Sequence, residues 1–511
     1  MWGNFRFGRK DRQVALSKVL VIYTGGTIGS RPKDPDPDSP QVVVPWEELE
    51  KATPELQRLK DAGVQVDCVS SEPPLDSCNI GPKEWVWMAK TISQHYDAYE
   101  GFAVLHGTDT MVYTASVLSF MLRNLAKPVI LTGAQRSAMV DIRNDATQNF
   151  ITALHLACPS YSKAPLVPEV CIYFGGKLLR GNRSVKRDTA GYEAYESPNL
   201  PPLGEIGDRI DIDRKLLRPM PEASRRFLVQ TRLSTDVTTV FIYPGIQDVD
   251  LVKKQLLDND KLKGAIILSY GSGNIPTLNP DFLDVFSRAH DKGIVLVNVS
   301  QCRRGPVELG IYETSAELLE RGFVAASDIT LEAALCKLQV LLGDEDLDKE
   351  GVESFFQQDM AGEQSRSVFI TKLPAAKVNQ ISTMDVPSAN VRIPGRPVEG
   401  KWEPSRLERA LLRFHCASVE RYRSSGPAFV RLFANLDNPE EASESHPGYA
   451  GRARKEATSK PGIIIFDVTR AVAAIARPGD RISFTLFLDT PGTTFSWREV
   501  ELALIGREVA G

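Results

Sequence analysis

Two short segments place reactive side chains at the end of an apolar run. VLVIYTGGTIGS at 19–30 runs into a Gly-Gly-Thr turn that delivers Thr27. GFAVLHGTDTM at 101–111 repeats the design with one glycine, followed by Thr108 and Asp109. Glycine lets backbone N–H groups come close to a ligand, and each threonine adds a hydroxyl. Two such turns point to one cleft approached from two sides. A threonine hydroxyl is a weak nucleophile and needs an adjacent base or a hydroxyl relay. An exposed carboxylate such as Asp109 is a poor acceptor for an alcohol proton, whereas a lysine of lowered pKa serves. Lys186, in the polar stretch LLRGNRSVKRDTAGYEAYESPNLPP at 178–202, is the candidate, although taken alone it reads as a surface residue. Nucleotide loops do not fit: Thr27 stands where GxGxxG needs its second glycine, and no GK[ST] follows.

Such turns need a sheet to present them. Short β-branched runs at 18–23, 101–105, 128–131, 170–174, 238–243, 264–269 and 293–299 read as strands. Helical patterns at 45–60, 82–96, 111–125, 141–157, 280–290 and 330–342 alternate with them. Nearly continuous apolar strands alternating with helices predict α/β architecture with parallel sheets covered on both faces. The expected organisation is a lead at 1–17, a larger α/β domain at 18–213 and a linker at 214–236. A smaller α/β domain follows at 237–365. Beyond about 375 the helical pattern gives way to alternating runs, so 376–511 is predicted to be an all-β sandwich. Its connection 437–461 is polar and aperiodic, either functional or mobile. KDPDPDSP at 33–40 reads as a solvated loop.

Composition narrows the function classes. The 511 residues are 42% hydrophobic and 25% charged, which excludes a wholly disordered, collagenous or coiled-coil chain. Lys and Arg total 61 against 65 Asp and Glu, so no global positive charge suggests nucleic acid or an anionic membrane. No apolar run reaches the roughly 18 residues that a membrane span needs, and MWGNFRFGRKDRQ lacks a signal-like apolar core. Seven cysteines without a CxxC pair form neither a disulfide framework nor a zinc site. A soluble, cytoplasmic, multidomain protein without metal or cofactor is the expectation.

TGGTIG, LDSCNI, HGTDTM, LTGAQRS, GNRSVK and YESPNLPP occur in one order, and YGSGNIP, NVSQC and DITLEAALCKL continue it. In these motifs the chain resembles the bacterial-type L-asparaginases, especially the cytoplasmic type I branch, over roughly residues 18–345. The resemblance implies a two-domain asparaginase-like fold. It also implies hydrolysis of the side-chain amide of L-asparagine, or of L-glutamine, through an acyl-threonine. Thr27 matches the nucleophile. Thr108, Asp109 and Lys186 match a second threonine–lysine–aspartate group. Asp76 and Ser77 match the segment that holds the substrate's α-amino and α-carboxylate groups, with Asp109 facing the ammonium. The family is homo-oligomeric, here a homodimer or homotetramer, and Asn274 matches a residue lent to a neighbour's site.

Three departures stand out. Many members activate the nucleophile with a tyrosine just after TGGTIG, yet residues 28–80 contain none. Tyr23 precedes the turn and reads as core. Some mammalian-type relatives use a tyrosine from the second domain, and Tyr312 in VELGIYETS stands near that place. It either reaches the cleft or packs on the 317–321 helix. Cys78 replaces a usual serine or glutamine. The third departure is the C-terminal domain, expected to be dispensable for chemistry. It faintly resembles the sandwich at the C-terminus of tyrosinase-type polyphenol oxidases; with only His415 and His446 it implies no copper site. Two other functions share these motifs: the glutamine-hydrolysing subunit of a tRNA amidotransferase, and a non-catalytic amino-acid-binding scaffold.

Overall fold

The computed structural model describes residues 17–34, 39–140, 142–246, 248–309, 313–376, 378–386, 388–397, 404–422, 426–475 and 480–507. The chain divides into two compact units. One runs up to Ser197 and includes Pro202–Thr231; the other joins Pro198–Pro201 to Arg232–Gly511.

The first unit is built on an eight-stranded sheet. Its strands are β1 (Ser17–Gly25), β2 (Val64–Leu75), β3 (Gly101–Leu105), β4 (Val129–Thr132), β5 (Val170–Phe174), β6 (Lys177–Arg180), β7 (Gly204–Ile206) and β8 (Ile210–Ile212). They lie in the order β8-β7-β6-β5-β4-β3-β1-β2. β1 to β5 pair in parallel, and helices Pro82–His95, Met111–Met121 and Ala146–Ala157 connect them. Val19–Tyr23 are buried throughout, as a strand covered on both faces must be. The sheet is mixed where an all-parallel one was expected. Gly175 and Gly176 both take positive φ, 56° and 80°, and turn the chain straight back, so that β6, β7 and β8 add antiparallel.

Two helices differ from the pattern-based expectation. The 45–60 run splits into Trp46–Lys51 and Glu55–Asp61, because Pro54 has no N–H to donate and disfavours helical geometry in the residue before it. The 141–157 helix begins only at Ala146. Asp145 is engaged elsewhere: its carboxylate accepts the backbone N–H groups of Gln135 and Arg136.

Much of the stretch expected to be linker packs on the first unit. Phe227 stacks on Tyr96 at 3.8 Å between ring centroids. Leu228–Val229 pairs with Leu122–Arg123, and Gln230 N–H donates to the Met121 carbonyl. A two-residue strand leaves too short a pattern for a sequence to announce.

The second unit opens with four parallel strands in sequence order: β9 (Val237–Phe241), β10 (Gly264–Ser269), β11 (Val295–Ser300) and β12 (Phe323–Ala325). Helices Val249–Leu256, Pro280–Asp291 and Leu331–Leu342 start on side-chain caps from Asp248, Asn279 and Thr330. The same unit continues into two antiparallel sheets. One contains Arg366–Lys372, Gln380–Ser382, Leu407–Arg421, Thr458–Asp467, Thr493–Ser496 and Glu499–Arg507; the other contains Ala389–Pro397, Ala428–Ala434, Tyr449–Lys455 and Arg481–Leu488. Phe414, Phe466, Phe484, Phe495 and Trp497 join one buried cluster. This β layer begins at Arg366, ten residues before the expected start. The 437–461 connection contains the strand Tyr449–Lys455, whose few apolar positions hid it.

Candidate active site

The site forms where β1 and β3 lie side by side. Their register runs from Val19↔Gly101 to Tyr23↔Leu105, so β3 ends level with Tyr23, two residues before the end of β1. From β1 the chain crosses to β2 on one side, then to β3 on the other. The gap between β1 and β3 is therefore a topological switch point, where open α/β sheets bind ligands outside the carboxyl ends of their strands.

Glycines bring the turns together. Gly25 and Gly26 have φ of 117° and 84°. A methyl group on Gly26 would lie 2.4 Å from both Cα and N of Gly107; one on Gly25 would lie 2.4 Å from the Leu75 carbonyl oxygen. A methyl on Gly107 would come 2.6 Å from Ser77 Oγ. The turn bearing Thr27 thus meets the turn bearing Thr108 backbone to backbone, and the Ser77 side chain packs directly on Gly107. Gly26 N–H also donates to the Leu75 carbonyl at 3.0 Å.

Thr27 opens the short 3₁₀ turn Thr27–Gly29 and is exposed. Ser30 Oγ donates to its carbonyl at 2.9 Å, and Ser137 Oγ, from the LTGAQRS motif, donates to the Ser30 carbonyl at 2.6 Å. Among the described residues no side-chain hydrogen bond holds the Thr27 hydroxyl itself. Tyr23 is fully buried, and its phenol donates to the Val44 carbonyl at 2.8 Å. Burial raises that phenol's pKa, followed by the nearby Cys68 and Glu48. The phenol nearest to Thr27 in sequence is therefore occupied with holding the next loop.

Thr108 is largely buried. Lys186 Nζ donates to Thr108 Oγ1 at 2.9 Å and to Asp109 Oδ1 at 2.6 Å. The lysine side chain is 15% exposed and the aspartate 66%, so the pair joins a covered hydroxyl to a solvent-facing carboxylate. Lys186 lies on a two-residue strand, Val185–Lys186, opposite Tyr195. Tyr195 reaches from there to donate its phenol to the Thr108 carbonyl. Its pKa is raised well above the usual value by burial and then by Asp109, so it remains a neutral donor. Thr108 is held by its side chain from Lys186 and by its backbone from the residue paired with Lys186.

Asp76 caps the short turn Ser77–Asn79, its Oδ1 accepting Cys78 N–H at 3.0 Å. Thr110 Oγ1 donates to the carbonyl of the buried Ser77 at 2.6 Å, tying this segment to the second threonine motif. Cys78 is exposed, and its thiol is pushed up chiefly by its bond to Asp76.

His106 and Tyr195 stood inside quoted motifs, but nothing in the sequence named their partners. Trp85 Nε1–H donates to Thr114 Oγ1 at 3.0 Å. Thr114 Oγ1 lies 2.8 Å from His106 Nε2, and His106 Nδ1 lies 2.7 Å from the Gly107 carbonyl. The carbonyl can only accept, so Nδ1 carries the hydrogen, Nε2 accepts from Thr114, and the ring is neutral. Burial pulls the His106 pKa down to about 4, against a smaller opposing effect of its bond to Gly107. This chain sets the backbone from which Thr108 hangs.

In the second unit, Asn274 sits in the turn after β10, exchanging backbone hydrogen bonds of 2.9 Å with Tyr270. Asn298 Nδ2 supports the same turn by donating to the Gly273 carbonyl at 2.8 Å. Tyr312 lies outside the described residues. Among the described residues no group of His, Cys, Asp and Glu could hold a metal ion, and no helix is long and apolar enough to cross a membrane.

Comparison with known proteins extends this geometry to a family. The family model for the asparaginase N-terminal domain matches residues 18–218, and the one for the glutaminase/asparaginase C-terminal domain matches 236–356. The chain is 40% identical to L-asparaginase 1 of Escherichia coli (strain K12) over 349 residues, 68% of this chain and 97% of that one. The 60 kDa lysophospholipase of Mus musculus is 36% identical over 368 residues, 68% of this chain and 62% of its own. The crystal structure of L-asparaginase I from Vibrio cholerae superposes with a TM-score of 0.61 at 36% identity, covering 69% of this chain and all of that one. Sheet, switch point and matched domains define an amidohydrolase acting on linear amides. The chain belongs to the L-asparaginase family, in its type I branch. The matched residues end at 356, so the β layers from Arg366 onward lie outside both family models.

Proposed function

We propose that this chain hydrolyses the side-chain amide of L-asparagine to L-aspartate and ammonia through an acyl-threonine on Thr27. The observation that carries the reading is the Thr108–Lys186–Asp109 hydrogen-bonded group on a turn that touches the Thr27 turn backbone to backbone. Thr27 Oγ1 attacks the amide carbonyl carbon and gives up its proton. The resulting tetrahedral oxyanion is stabilised by backbone N–H groups of the glycine turns. The carbon–nitrogen bond then breaks, and ammonia leaves with that proton. Water then attacks the ester carbonyl carbon, the bond from that carbon to Thr27 Oγ1 breaks, and the water's proton returns to Oγ1, freeing aspartate and restoring the hydroxyl. Lys186 Nζ and Thr108 Oγ1, already hydrogen-bonded, are the pair along which a proton of the reaction can move. Asp109 and Asp76 face the substrate ammonium, and Ser77 its carboxylate. Asn274 of a neighbouring copy completes the site in a homodimer or homotetramer.

Purified protein incubated with asparagine and with glutamine, with ammonia followed over time, tests the reading. Release from asparagine that disappears in folded Thr27→Ala supports it. Equal activity in the folded variant removes Thr27 from the nucleophile's role, and no release from asparagine overturns the activity.

A further inference from the structure

The LTGAQRS motif carries no step of the reaction, yet its residues run from one threonine turn to the other. Strand β4 pairs with β3 and leaves the sheet at Gly133. A methyl group on Gly133 would run into the His106 carbonyl oxygen and lie 3.6 Å from Thr108 Cγ2, so the backbone here passes against the Thr108 turn. Four residues on, Ser137 is buried, and its Oγ donates to the Ser30 carbonyl at 2.6 Å. Ser30 Oγ in turn donates to the Thr27 carbonyl at 2.9 Å. Met139 N–H fills an acceptor site of the Ser137 hydroxyl at 3.1 Å, which leaves its hydrogen for Ser30. One carboxylate fixes the stretch between these contacts. Asp145 accepts the N–H groups of Gln135 at 3.0 Å and of Arg136 at 2.9 Å. Asn149 Nδ2 joins that carboxylate, at 3.2 Å, to the Gly133 carbonyl, at 3.0 Å.

The Thr27 turn needs such a hold. It is a 3₁₀ turn of three residues, and Gly26 at its start supplies no side-chain cap. Its own backbone bonds run from Gly29 N–H to the Gly26 carbonyl and from Ser30 N–H to the Thr27 carbonyl. A single turn gains too few bonds to offset the cost of ordering itself.

We propose that Ser137 is a positioning residue for the nucleophile: through Ser30 it ties the Thr27 turn to the 133–137 segment, which is seated on the Thr108 turn, and so sets the spacing of the two threonines. The proposal rests on the acyl-threonine reading for the role of Thr27. Attack by a hydroxyl is sensitive to placement, and an error of about 1 Å can cost on the order of 10²-fold in rate. Loss of one hydrogen bond loosens the turn and leaves the nucleophile present, so the expected loss is smaller.

The test uses the full chain with Ser137→Ala and Ser30→Ala, each deleting one hydroxyl of the series, and with Ser137→Thr, which keeps it. Steady-state kinetics with asparagine and hydrogen exchange of the Gly29 and Ser30 amides are measured well below the melting temperature of each variant. We expect kcat to fall about tenfold in both alanine variants with KM within about twofold of wild type. Exchange at Gly29 and Ser30 should quicken about tenfold, and Ser137→Thr should restore most of both. A purely structural role would lower the melting temperature and leave kcat of the folded protein as it is. A kcat within about twofold of wild type in both alanine variants, a loss carried by KM alone, or unchanged exchange overturns the proposal. A wild-type protein that releases no ammonia from asparagine instead refutes the activity, and exchange then decides the hold on the Thr27 turn on its own.

Discussion

Lys186 Nζ lies 2.9 Å from Thr108 Oγ1, within hydrogen-bond reach of a hydroxyl 78 residues earlier in the chain. With Asp109 at 2.6 Å on its other side, the nitrogen is the central atom of the group. Lys186→Met keeps most of the unbranched stem and removes the amine. We expect kcat to fall on the order of 10²–10⁴-fold with KM much less affected. A change confined to KM would assign Lys186 to substrate binding instead.

Tyr195 supports the same threonine from behind. Tyr195→Phe deletes the phenolic hydroxyl and leaves the buried Thr108 carbonyl without that donor, at a cost of about 1–3 kcal/mol of stability. We expect the melting temperature to drop and kcat to fall about tenfold, because the hydroxyl of Thr108 shifts with its backbone. Full kcat in a destabilised variant would show that the tyrosine contributes to the fold alone.

His106 makes the first unit sensitive to acid in a defined window. Folded, it binds a proton only below about pH 4, whereas an unfolded histidine does so below about 6.5. The unfolded chain therefore holds more protons between those values, and stability falls as pH drops through them, by about 3 kcal/mol in all. Glu363 acts lower. Burial pushes it up, but the Lys337 ammonium prevails and holds it at about 2. Its contribution is present above the ordinary carboxylate value and is lost as pH falls from there toward 2. Urea unfolding of His106→Gln should show a flattened slope between pH 6.5 and 4, with the loss at lower pH retained. An unaltered slope in the upper window would mean that another group carries it.

A phenol for Thr27 has to come from outside the 28–80 segment, and Tyr23 is occupied by the Val44 carbonyl. By resemblance Tyr312 is the candidate. Tyr312→Phe removes only its hydroxyl, so a relay role predicts a kcat loss of roughly 10² with little change in melting temperature. Near-wild-type kcat in this variant would leave the activation of Thr27 to another group.

Strand–turn logic was legible where the pattern was long and the chemistry local. The runs ending at Thr27 and Thr108 announced both their strands and their meeting, since two glycine turns at parallel strand ends leave little other use for a threonine. Lys186 was legible by type but not by position, because the strand that carries it is two residues long. His106 and Tyr195 act through contacts to backbone carbonyls, and a carbonyl has no sequence signature. The reversal at Gly175–Gly176 and the docking of Phe227 on Tyr96 are tertiary choices that no window of a dozen residues contains. The β layers were legible as a class, yet their first strand at Arg366 looked like the tail of the preceding helix region.

The contact between Gly26 and Gly107 also bears on how this enzyme can diverge. Where two backbones touch, neither position tolerates a side chain, so drift is closed to both turns together and a change in one cannot be offset by enlarging the other. New side chains can enter only at neighbouring positions that still have room, such as the exposed Cys78. The paired turns thus form a fixed point of the chain, and any change of shape has to be found around them.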